Sequence, residues 1–180
     1  MRLFIALELP QKSKDLLAQS MTQLAPYVKE GNFVPKQNYH VTLHFLGEVE
    51  YSKVLYLQSL LDDLKQMKAT QLCHTQTVSW RASQVVCAKY KADENLAKVH
   101  HKLAQGLERV GFLVEERRFV PHVTLLRKPS FNLPCSEALK NAPVYNMPFV
   151  ADTVTLFCSE RVDGAMMYTP LYSVKLQPKD

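Results

Sequence analysis

His40-Val41-Thr42-Leu43 recurs downstream as His122-Val123-Thr124-Leu125. No other stretch of the chain repeats so closely around a reactive side chain, and two copies of one phrase point to a single site assembled from two halves. Each copy reads as a β-strand, because Val and Thr are β-branched and aromatic residues flank the first copy at Tyr39 and Phe45. Strand alternation then puts His and Thr of each copy on one face. Val41, Leu43 and Phe45 are expected in an apolar layer, with His40, Thr42 and His44 facing outward. In the second copy Val123 and Leu125 go inward and His122 and Thr124 outward. Arg127 has the parity of Val123 and Leu125, so it reaches the outward face only if the strand twists or ends near Leu126.

Around these phrases lies a chain of 180 residues, 47% hydrophobic and 22% charged, which is the composition of a globular protein rather than a disordered or fibrous one. Its length suits one domain over residues 1–180, built as two interlocked lobes. The net charge of +5, from 22 Lys and Arg against 17 Asp and Glu, favours a polyanionic partner without demanding one. Arg117-Arg118 before the second phrase and Arg127-Lys128 after it form either a phosphate-gripping rim or a solvated strand end. Cys73, Cys87, Cys135 and Cys158 show no C-x-x-C spacing and read as free thiols in a reducing cytosol. Cys73 with His74, or His100 with His101, are adjacent pairs that diverge, so no metal is expected. The opening residues are too short an apolar run for a signal peptide, and no stretch reaches the roughly 18 apolar residues that cross a bilayer. The expectation is a cytoplasmic protein with no membrane contact and no obligate protein partner.

The remaining pattern alternates helix and strand. Arg2 to Leu9 is β-like. Leu16, Leu17, Met21, Leu24 and Val28 recur at helical spacing from Gln11, with Pro26 kinking or ending the last turn and Gly31 closing the segment. Phe33 to Asn38 approaches the first phrase. Ser52 is placed to cap a second helix on Val54, Leu57, Leu61 and Leu64. A hairpin spans residues 71 to 90 around an Arg81–Gln84 turn, and Asn95 to Val110 forms a third helix on Leu96, Val99, Leu103 and Leu107, stopped by Gly111. His100 and His101 lie there as surface or boundary residues. Pro129 to Asn141 reads as loop with a short helix. Two β segments close the chain, Met147 to Phe157 and Tyr168 to Leu176, with Ser159-Glu160-Arg161 and Asp163-Gly164 between them. The fold class is α+β: a bilobed, pseudo-symmetric pair of antiparallel sheets with outer helices around a central cleft.

Two imidazoles facing each other across such a cleft can hold a base and an acid at once, since an ordinary histidine pKa near 6.5 keeps both forms accessible. In-line displacement at phosphorus needs that arrangement, with attacking and leaving oxygens on opposite sides. Thr42 and Thr124 would hydrogen-bond nonbridging oxygens, and Arg127 would oppose the negative charge that builds up. The chemistry requires no metal and no cofactor, and residue chemistry alone does not say which histidine is acid and which is base.

The phrase His40-Val41-Thr42-Leu43 with Phe45-Leu46-Gly47, and Arg118-Phe119-x-Pro121 leading into His122-Val123-Thr124-Leu125-Leu126-Arg127, resemble the paired motifs of the two-histidine phosphoesterase superfamily. Within it the chain is most similar to the bacterial and archaeal RNA 2′,3′-cyclic phosphodiesterases, historically called 2′-5′ RNA ligases. Arg2-Leu3-Phe4-Ile5-Ala6 to Leu9-Pro10 resembles that family's first strand, and Ser159 through Tyr168 and Leu171 its closing hairpin. The resemblance is weakest between Gln66 and Glu94. It implies metal-independent hydrolysis of a 2′,3′-cyclic phosphate on an RNA end or nucleotide to a 2′-phosphate, with reversible 2′-5′ joining as a second activity. It also implies that His40 protonates the departing O3′ and that His122 activates water.

Two other readings remain at this level. One is a noncatalytic nucleotide- or RNA-binding module, against which both His-x-Thr pairs being intact argues. The other keeps the chemistry on small cyclic nucleotides or 2′-5′ oligonucleotides. Stacking aromatics would separate these, but Tyr39, Phe45 and Phe119 are all read as core residues.

Overall fold

The computed structural model describes residues 1–115 and 118–179. Its elements are β1 (Arg2–Glu8), α1 (Gln11–Leu24), β2 (Val28–Phe33), β3 (His40–Glu48), α2 (Val54–Asp62), β4 (Thr70–Trp80), β5 (Val85–Ala92), α3 (Glu94–Arg109), β6 (His122–Phe131), α4 (Cys135–Ala138), β7 (Phe149–Ala151), β8 (Thr153–Val162) and β9 (Ala165–Lys175). Two antiparallel sheets result, one ordered β3-β1-β8-β9 and the other β2-β6-β5-β4-β7. The first His-x-Thr phrase opens β3 on the edge of one sheet, and the second opens β6 inside the other. The chain crosses between the sheets repeatedly, so β2, lying between α1 and β3, pairs with β6.

Apolar burial explains the layers. Leu3, Ile5 and Leu7 on β1, Val41 and Leu43 on β3, and Val154 and Leu156 on β8 are all buried. Helix α2 packs against β8, β9 and α3, while α3 packs against β3 and β4. Leu57 and Leu61 on α2 and Leu64 just beyond it have no exposed surface, and each such leucine stabilises by about 1.5–3 kcal/mol. Leu96, Val99, Leu103 and Leu107 form the buried stripe of α3. The Asp93 side chain caps that helix by accepting from the Asn95 N–H at 3.2 Å. Gly106 lets the two helices approach closely, because a Cβ there would sit 2.6 Å from a Leu60 methyl.

Several expectations change on contact with the structure. Val28 is not the last turn of α1. After a 3₁₀ turn at Ala25–Tyr27 it begins β2, an edge strand almost wholly exposed and held by backbone pairing to β6. Gly31 makes this pairing possible: its φ is +150°, and a Cβ would lie 2.9 Å from the Leu126 Cδ1. Ser52 caps nothing. It sits in a 3₁₀ turn, its hydroxyl donates to Glu50, and α2 starts at Val54. Strand β6 continues through Pro129 to Phe131 rather than stopping at a loop. Ser159, Glu160 and Arg161 belong to β8, and the turn tightens to Asp163-Gly164, both with positive φ.

Phe45 and His44 exchange their expected places. Thr42 pairs with Ala6 and His44 with Ile5, leaving Leu43 as an extra residue in β3. This β-bulge reverses the alternation. Leu43 and His44 are therefore both buried, and Phe45 is 66% exposed.

Candidate active site

His40 and His122 each start a strand, and each is oriented by the main chain two residues upstream. The His40 Nδ1 lies 2.7 Å from the Asn38 carbonyl oxygen, and the His122 Nδ1 lies 2.8 Å from that of Val120. A carbonyl only accepts, so both Nδ1 atoms carry hydrogen and both Nε2 atoms present a lone pair in the neutral ring. The Thr42 hydroxyl is 3.0 Å from the His40 Nε2 and donates to it.

The two rings meet different surroundings. Phe4 lies 4.9 Å from the His40 ring centroid, Tyr168 lies edge-on at 5.3 Å, and Phe157 stands behind at 6.3 Å. His122 has the indole of Trp80 edge-on at 4.5 Å. The aromatic cage desolvates His40, and Lys14, Arg127 and His122 add positive field. Together these outweigh the Asn38 hydrogen bond and push its pKa from 6.5 down to about 4. In the free protein His40 is thus neutral at neutral pH.

A single cavity of about 1000 Å³ takes in both motifs, with His40, Thr42, His122, Thr124 and Arg127 all on its wall. All five residues singled out in the sequence are brought together. The parity objection to Arg127 dissolves, because Val86 pairs with Leu126 and Cys87 with Thr124, leaving Leu125 as a second bulge. Arg127 is thereby returned to the face of His122 and Thr124. Arg118 joins the wall, as do Arg2 and Arg81, which the sequence did not single out. Arg117 lies outside the described residues, and Lys128 turns away with φ +50°, its N–H bonded to the Gln84 carbonyl at 2.7 Å.

Of the three aromatics read as core, only Tyr39 is buried in it. Phe45 and Phe119 line the cavity. Phe4, Trp80, Phe157 and Tyr168 were missed, since their roles depend on which strands become neighbours. His100 is also on the wall, stacked 4.1 Å from Phe119 and 4.3 Å from the buried His44. His74 is buried against Tyr90 rather than paired with Cys73. Among the described residues no three His, Cys, Asp or Glu side chains converge on a point where a metal would sit.

Two His-x-Thr strands from separate antiparallel sheets, opening on one basic cavity, define a two-histidine phosphoesterase. The chain belongs to the 2′-5′ RNA ligase superfamily, whose model matches residues 12–163. It is 31% identical to the RNA 2′,3′-cyclic phosphodiesterase of Escherichia coli K12 over 173 residues, covering 94% of this chain and 93% of the relative. It is 29% identical to the Methanocaldococcus jannaschii protein of the same description over 134 residues, 71% of each chain. Among solved structures, Escherichia coli LigT complexed with 3′-AMP superposes with a TM-score of 0.80 at 28% identity over 97% of both chains. TT0787 of Thermus thermophilus shares the fold over the full length of both, with a TM-score of 0.85 at 24% identity.

Proposed function

We propose that the protein hydrolyses a terminal 2′,3′-cyclic phosphate on RNA to a 2′-phosphate, using His122 as base and His40 as acid and no metal. One observation carries this reading: two imidazoles, each locked by an Nδ1–H bond to the main chain, present Nε2 to the same basic cavity. Family membership and the descriptions of the relatives support the choice of substrate.

The chemistry follows from these positions. Water attacks phosphorus while the His122 Nε2 takes its proton, the P–O3′ bond breaks, and the His40 Nε2 protonates the departing O3′. Thr42, Thr124 and Arg127 bind the nonbridging oxygens, where negative charge grows in the transition state. His40 must carry a proton to act as acid, and its burial in the free protein opposes this. The negatively charged cyclic phosphate works against that bias, because an anion beside the imidazole favours its protonated form and offsets the positive field of Lys14, Arg127 and His122. A 5′-hydroxyl in place of water would give a 2′-5′ linkage through the same two groups. A cytoplasmic setting suits the four unpaired thiols.

The test is incubation of the protein, with chelator present, with a short RNA ending in a 2′,3′-cyclic phosphate, followed by phosphorus NMR. The expected product is the 2′-phosphate, and His40→Ala and His122→Ala should each lower turnover by roughly 10²-fold or more. Near-normal turnover in either variant, or a product that forms only without chelator, would remove the two-histidine mechanism.

A further inference from the structure

In the sheet that carries His40, the approach to one edge strand touches the other edge strand. Strand β3 is one edge and β9 the other, yet the side-chain amide of Asn38, two residues before His40, donates to the Met166 carbonyl of β9 at 2.9 Å. Asn38 is 8% exposed although it lies in a surface 3₁₀ turn. Its own carbonyl accepts the Nδ1–H of His40. Two residues beyond Met166, Tyr168 is set edge-on against both the His40 ring and Phe4. Around this contact the β8–β9 arm is exposed at Val162, Met166 and Met167, and it turns on two positive-φ residues. At the other motif the same structural place is taken by Val120, whose side chain has no donor.

We propose that Asn38 is a positioning residue: its amide clasps the β9 arm to the approach of the first motif and so holds Tyr168 against His40, completing the cage around the imidazole. The inference rests on the reading of His40 as a proton-transfer group, but the clasp itself is a matter of geometry. An arm attached only through β8 would be free to swing, and water would then reach the ring from the Tyr168 side. The other groups that act on the ring are Lys14 from α1 and Arg127 and His122 from β6. Beside it on β1, Glu8 is bonded to Thr155. None of these is attached through the clasp. The cage sets Tyr168 and Phe4 against one histidine, whereas its counterpart meets Trp80, so the clasp adds to the difference between two similar motifs.

The test uses Asn38→Ala, which keeps the carbonyl and removes the amide, and Tyr168→Ala, which removes the ring the clasp holds. Long-range proton–nitrogen NMR reads the protonation of His40 and His122 separately across pH in the free protein. In both variants the His40 midpoint should rise by one unit or more toward 6.5 while that of His122 stays in place. Although the ring then protonates more readily, it loses its aim at the departing oxygen, so turnover of the cyclic phosphate should fall about tenfold in kcat with little change in KM, and Asn38→Ser, which keeps a donor, should recover part of it. An unchanged His40 midpoint in Asn38→Ala overturns the proposal, as does an equal shift of both histidines. Should Asn38→Ala not fold, an unchanged midpoint in Tyr168→Ala overturns it instead. If the midpoint moves but the wild-type protein leaves the cyclic phosphate intact, the clasp stands and the proposed function fails.

Discussion

Acidification from pH 7.5 to pH 4.5 should remove much of the protein's stability, and the buried histidines set how much. Burial pushes His40 and His100 from 6.5 to about 4, with the positive field of His44 and His101 adding to the effect at His100. Burial lowers His44 and His74 in the same direction. A histidine whose pKa is depressed by folding refuses a proton that the unfolded chain accepts. Its contribution is therefore complete above about pH 6.5 and is lost as pH falls from there toward about 4. At pH 4.5 a shift of that size costs about 2–3 kcal/mol at His40, and His100, half-buried and screened by solvent, adds less than that. Even His40 alone is a large fraction of the roughly 5–15 kcal/mol by which domains are stable. The stacked His44 and His100 rings share a macroscopic titration rather than two independent ones. Asp15 and Asp62 titrate below this window, because Lys36 and Gln11 hold the first, and Lys65 and Tyr172 the second, beneath the ordinary 3.8. Urea unfolding followed by circular dichroism at several pH values measures the slope. His100→Phe keeps a ring against Phe119 and binds no proton, so its slope should be shallower by about one proton. Constant stability between pH 7.5 and 4.5, or a full wild-type slope in His100→Phe, would show that these rings are not held neutral by burial.

The bulge in β3 makes a contrasting pair of stability predictions. Phe45→Ser should cost under about 1 kcal/mol because the ring is 66% exposed, whereas Leu43→Ala should cost about 2–5 kcal/mol; chemical denaturation reads both, and a large loss at Phe45 would contradict the bulge. Arg127→Ala should raise KM and lower kcat, by less than either histidine variant, while leaving the fold intact; unchanged kinetics would place the guanidinium outside the reaction. Gly31→Ala should lower stability by about 1–3 kcal/mol, since it forces an alanine into φ +150° with its Cβ against Leu126; an unchanged melting temperature would mean β2 shifts without cost.

Whatever followed from local periodicity was legible in the chain. Helix α3 has an uninterrupted stripe of Leu96, Val99, Leu103 and Leu107, and the β4–β5 hairpin has β-rich arms around a polar turn. The duplicated His-x-Thr phrase led to the candidate site for the same reason: four consecutive residues carry both the strand signal and the side chains that line one cavity. Strand β2 was not legible because nothing in Val28–Phe33 alternates. Its side chains are mostly exposed, and its pairing depends on the backbone and on Gly31. The ring cage of His40 depends on β1, β8 and β9 joining β3 in one sheet, which the residues around His40 do not encode.

The bulges were invisible for another reason, and they explain why the two halves of the cleft differ. Each falls on the leucine one position after the motif threonine, Leu43 in β3 and Leu125 in β6. Simple alternation sends the fifth residue after each histidine into the core. An extra residue at the leucine returns it to the cleft, without changing the composition that periodicity reads. The duplicated phrase itself is identical through that leucine and diverges immediately after it, so the bulge brings the divergent residues to the site. On one side the returned residue is Phe45, 6.1 Å from Phe4 in the apolar surround of His40. On the other it is Arg127, whose charge reaches as far as His40. A repeat that would otherwise build two equal walls thus places an aromatic ring at the fifth position of one motif and a guanidinium at the same position of the other, and under the proposed function these two positions meet different parts of a nucleotide.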